Sequence, residues 1–201
     1  RWLSKLPWWT GGGLVRGSGR SYTAFLNKLR ADSFDAMVAT LALRSVPTEA
    51  EGKAIANYIN VATGRGKVGV KEQSAQALNT VFFAPRLVAS RFQLLAGQPL
   101  YGGSARTRKL VAQEYARFAI GVSVVLALTG FAMGGDDDDS DKPLIGLDPR
   151  SADFLKIRTG NTYIDPMAGL AQVSTFVARM ATGETVTGKG EVKPLRTGYT
   201  L

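Results

Sequence analysis

Apolar side chains recur along this chain mostly at three- and four-residue intervals, the spacing of one face of a helix. In RSYTAFLNKLRADSFDAMVATLALR (20–44), Phe25, Leu29, Phe34, Met37, Val38 and Leu41 fall on one stripe. The pattern predicts a helix with Ser21 as its N-cap and that stripe in the core. A second helix is expected after Pro47. Thr48 and Glu51 have capping-box spacing, so each side chain can satisfy an end N–H. Gly64 should stop that helix near Thr63, and GRGKVG (64–69) reads as a solvated basic loop. The stretch 71–96 is again helical in period. Pro85 should break it near Ala84, and Gly97 and Pro99 should end it. Arg86 and Arg91 read as solvated stems over the core.

Residues 104–133 predict one long helix of two textures. Arg106, Arg108, Lys109 and Arg117 mark its first half; 118–134 is an uncharged apolar run carrying Phe118, Ile120, Val124, Leu126, Leu128 and Phe131. Four aspartates, Asp136–Asp139, follow Gly134 and Gly135. Seventeen residues lie at the lower edge of what spans a bilayer. Gly121, Ser123, Thr129 and Gly130 soften the run and suit close helix packing. In the folded chain it is read as a helix apolar all round, to be wrapped by the others. In a bilayer, basic residues before it and acids after it would keep its N-terminal side cytoplasmic.

The rest changes texture. Residues 154–158 and 162–164 look like short strands, with Thr159, Gly160 and Asn161 as the hairpin turn. Asp165-Pro166 reads as an N-cap and N1 proline, opening a helix that runs to Gly183. The tail should be polar and extended. The expected fold is mainly α, about five helices with one small β-hairpin near 154–164. Its divisions are an irregular Trp/Gly-rich arm (1–19), a helical domain (20–134), an acidic linker (135–150) and a hairpin, helix and tail (151–201).

Composition narrows the chemistry. The 201 residues contain no cysteine and no histidine, which excludes disulfides, thiolate or imidazole metal sites and histidine-based catalysis. GETVTGKG (183–190) misses the P-loop pattern by placing Gly190 where a hydroxyl must hold magnesium. The run of aspartates lacks EF-hand spacing. Asp148, Asp153 and Asp165 could form a carboxylate pair only if the fold joined them. No catalytic residue, metal site or cofactor is assigned, and an enzyme is not expected. The net charge is +9, made of +11 over 1–117 and −2 over 118–201. The basic half predicts a polyanionic neighbour, with Arg106, Arg108, Lys109 and Arg117 meeting DNA or lipid headgroups. Trp2, Trp8 and Trp9, all the tryptophans of the chain, predict an arm that docks on a neighbour.

Three stretches carry a resemblance: SYTAFLNKLRADSFD (21–35); AIANYINVATGRG (54–66) with LNTVFFAPRLVASRFQLLAG (78–97); and DPRSADFLKIRTGNTYIDPMAGLAQ (148–172). In their order the chain resembles a C-terminal region of the large polyvalent proteins of tailed phages and prophages, including internal virion, or ejection, proteins of short-tailed phages. The resemblance implies a piece of a longer polypeptide, packaged in the virion interior near the portal. It further implies contacts with portal or internal core proteins, a homo-oligomer, and passage with the genome into the host envelope. It brings no catalytic motif. The alternative expectation is a sequence-independent nucleic-acid-binding module of a larger phage-encoded protein.

Overall fold

The computed structural model describes residues 12–67, 84–133, 144–160, 162–187 and 190–195. Trp2, Trp8, Trp9, the aspartate run, Asn161 and the 71–83 part of the third helical stretch lie outside them.

The chain is mainly helical. Among the described residues are α1 (Gly12–Ala42), α2 (Glu49–Ala62), α3 (Pro85–Leu95), a 3-10 turn (Gln98–Tyr101), α4 (Ala105–Met133) and α5 (Leu170–Thr182). The core forms where α1, α2 and α4 cross: Met37 and Leu41, Ile55 and Ile59, Leu110 and Val111 are buried together. Phe34, Val38, Tyr58, Leu100 and Tyr115 close its edges.

Local chemistry sets several boundaries as expected. Thr48 Oγ1 accepts from Glu51 N at 3.3 Å, and Thr48 N donates to the Glu51 carboxylate at 2.9 Å, completing the capping box of α2. Pro85 opens α3 at its first turn, where its missing N–H costs nothing. Gly97 (φ 66°) and Gly183 (φ 69°) take the left-handed conformation that ends α3 and α5.

Other boundaries differ. α1 starts at Gly12, so Ser21 lies inside the helix and 12–19 is not irregular. Glycine lowers helix propensity but does not forbid helix. The GRGKVG stretch is not simply solvated. A Cβ on Gly66 would come within 2.8 Å of Arg86 O and Ser90 Cα, so this glycine lets the chain cross tightly over α3. Asp165 caps a turn rather than a helix: its carboxylate accepts from Met167 N (2.8 Å) and Gly169 N (3.1 Å), and α5 begins at Leu170.

The hairpin is present, with β1 (Ile157–Thr159) paired antiparallel to β2 (Thr162–Ile164) and Ile157 opposite Ile164. A second one replaces the expected extended tail: β3 (Glu184–Val186) pairs antiparallel to β4 (Val192–Pro194). Arg150 knits these pieces. Its guanidinium bonds Asp148 (2.8 Å) and Glu184 (2.5 Å), while its carbonyl accepts from Arg179 Nε at 2.7 Å. Hydrogen bonds from the Arg150 side chain and backbone N–H hold the Asp148 carboxyl below its usual range.

Candidate membrane and partner surface

Helix length decides what is exposed. At 1.5 Å per residue, α2 with 14 residues is about 21 Å long, α1 with 31 about 46 Å, and α4 with 29 about 43 Å. Arg106, at the start of α4, donates to Ser45 O and Val46 O just past the end of α1. Arg30 of α1 donates to Thr63 Oγ1, at the end of α2, at 2.7 Å. α1 therefore runs opposite to α2 and α4. The N-terminal half of α1 and the C-terminal half of α4 both overhang at the end where α2 stops.

The overhang of α4 is the apolar run. Phe131 is 91% exposed, Ile120 63%, Leu128 62%, and Phe118 and Val124 are exposed too; Leu126 is half-buried. α4 is long and apolar enough to cross a membrane, with mean hydropathy 1.6, and its apolar window is 0% buried. The expectation of a core helix is thus corrected. α2 packs on the first half of α4, around Leu110 and Val111, and at 14 residues is too short to reach the second. The stripe of α1 divides in the same way. Met37 and Leu41 are buried, but Phe25 and Leu29 are exposed, joined by Tyr22.

The basic cluster is not one surface. Arg106 is committed inside the chain. Its Nε and Nη2 donate to the Glu51 carboxylate at 2.6 and 2.5 Å, and Ser104 Oγ donates to the same carboxylate. Glu51 is only 3% exposed. The bonds from Arg106, Ser104 and Thr48 N hold its carboxyl far below its ordinary pKa of 4.5. Arg106 is therefore committed to an ion pair within the chain. Arg117 pairs with Glu114 one helical turn back. Arg108 and Lys109 are exposed.

The inner side of the α4 overhang borders a groove of about 550 Å³. Phe118, Val122 and Leu126, four residues apart, form one wall; Leu94 and Leu95 of α3 and Leu155, Met167 and Leu170 form the facing one. Tyr58 and Tyr115 close one end, their rings 6.1 Å apart. Ile120, Val124, Leu128 and Phe131 lie on the other side of the helix. The overhang is thus apolar all round, a pattern suited to a bilayer or to a sheath of partner helices.

Asp148 is taken by Arg150 and Asp165 by its turn, and among the described residues no three His, Cys, Asp or Glu side chains are placed to hold a metal. No family model, curated protein or solved structure matches the chain.

Proposed function

We propose that this chain is a structural and interaction region of a phage internal virion protein, carried in the capsid near the portal and released during genome delivery. In that reading the α4 overhang is sheathed by neighbouring subunits or virion proteins in the particle and enters the host membrane after ejection. One observation carries the membrane part: the apolar half of α4 projects from the core with every side apolar and none of its window buried. The virion context rests on the resemblance of 21–35, 54–66, 78–97 and 148–172.

Residues 118–133 make about 24 Å of helix, a little short of a hydrocarbon core of about 30 Å. A full crossing draws in the turn before Phe118, where Arg117 can keep its charge in the headgroup layer while its stem lies in the apolar zone. Arg108 and Lys109 then face anionic headgroups. Nucleic-acid binding is the weaker reading, because Arg106 is committed to the buried Glu51 carboxylate.

Vesicle flotation of the chain tests this. Flotation with both neutral and anionic vesicles that survives 1 M salt supports apolar insertion, since salt of about that strength screens charge within ~3 Å. Flotation lost on adding salt, or absent throughout, contradicts it.

A further inference from the structure

We propose that the groove beside α4 is a binding site for a single-chain anionic amphiphile, its acyl chain lying along Phe118, Val122 and Leu126 and its anionic group on Arg91. This goes beyond the membrane reading and does not rest on it, because the site would take up a soluble monomeric ligand.

The first argument is the cation. Arg91 reaches from α3 into a lining that is otherwise almost wholly apolar. Its five N–H donors find one acceptor among the described residues, Ala62 O, at 3.5 Å from Nη1. Asp165 acts on it electrostatically, but the two carboxylate oxygens of Asp165 are engaged by Met167 N and Gly169 N, and no ion pair joins the two side chains. Burial lowers the Arg91 pKa below its ordinary value, as expected of a guanidinium taken partly from water without a matching anion. Such a fork, with donors left over, suits a carboxylate or phosphate bound bidentately.

The second argument is backbone strain. Among the described residues, two that are not glycine have positive φ: Leu155 (52°) and Ala168 (50°). Both line this groove. Strained residues gather at ligand clamps, where the surroundings hold them. Gly169 (φ 86°), next to Ala168, sits beside Arg91: a Cβ there would lie 3.8 Å from Arg91 Nε.

The third argument is size. From Phe118 to Leu126 the apolar wall is about 12 Å long. The volume, about 550 Å³, lies within the range of about 300–1,000 Å³ typical of small-ligand pockets. One medium acyl chain fits that shape.

The test is calorimetric titration of the full chain with three soluble probes held below micelle formation: decanoate, decyltrimethylammonium of the same chain length and opposite charge, and butyrate. Saturable binding of one decanoate per chain is expected, with the cation and butyrate each at least ten-fold weaker. Arg91→Gln should weaken decanoate about ten-fold without weakening the cation; Val122→Trp should weaken decanoate by filling the groove. Equal affinity for decanoate and the cation, binding unchanged in Arg91→Gln, or no saturable decanoate binding would overturn the proposal. The charge comparison uses the unaltered chain, so a variant that fails to fold does not blunt it. No bilayer is present, so this result is separate from flotation.

Discussion

Glu51 shows how one residue does two jobs that sequence spacing reveals only in part. Its place three after Thr48 announces the helix start, but nothing local announces Arg106, 55 positions later, as its buried partner. A carboxyl whose pKa is depressed on folding contributes stability that is complete above its unfolded pKa, near 4.5, and is lost as pH falls toward the native value. Glu51→Gln should therefore lower Tm at pH 7, and the gap to the native chain should close as pH drops below about 4.5. A gap independent of pH would show that charge is not what Glu51 supplies. Thr48→Ala removes the other half of the box and should cost about 1 kcal/mol. Gly66 is a residue whose role was hidden: a glycine in a basic loop looks like flexibility, whereas the cause here is the backbone of α3 against it. Gly66→Ala should lower Tm clearly. Gly17→Ala, where a Cβ would meet nothing within 4 Å, should instead raise stability by about 0.5–1 kcal/mol. Equal effects at the two glycines, read by thermal melts, would contradict this placement.

Among elements, α2 and α4 were the most legible, because a capping box and an unbroken apolar and basic period act locally. α1 was misread at its start, since five glycines (Gly11, Gly12, Gly13, Gly17 and Gly19) suggested an irregular arm. The register of its stripe was right, but the stripe continues beyond what α2 can cover, and periodicity does not tell where cover ends. The second hairpin was missed because β3 and β4 are three residues each and hold by cross-strand pairing and by Arg150 to Glu184, neither visible in a local window. The two halves of α4 make opposite predictions. Val111→Ala in the first half, and Ile55→Ala of α2 in the same core, at 1% and 0% exposure, should each destabilise, Ile55→Ala by about 2–5 kcal/mol. Leu128→Ser and Phe131→Ser should stay within about 0.5 kcal/mol of the native chain in denaturant melts, yet reduce vesicle flotation sharply. If they unfold the chain instead, the overhang is packed and not free.

At the scale of the molecule, one short helix between two long ones leaves two overhangs at the same end, α1 with an exposed apolar stripe and α4 apolar all round. An exposed run of this kind marks a surface that meets lipid or protein. The groove and its half-paired Arg91 follow from the same mismatch, because α4 leaves α2 while still lying alongside α3 and the turn before α5. None of this can be read from composition, although the +11 and −2 halves do meet where α4 changes texture. The absence of native cysteine allows the central claim to be tested at a single atom. A Leu128→Cys variant carrying an environment-sensitive fluorophore is mixed with vesicles whose acyl chains bear a nitroxide quencher, beside a control at Leu43→Cys, an exposed position just past the end of α1. Blue-shifted emission, quenched by the nitroxide at 128 and not at 43, is the predicted result. Emission at 128 that stays water-like and unquenched would contradict entry of α4 into the bilayer.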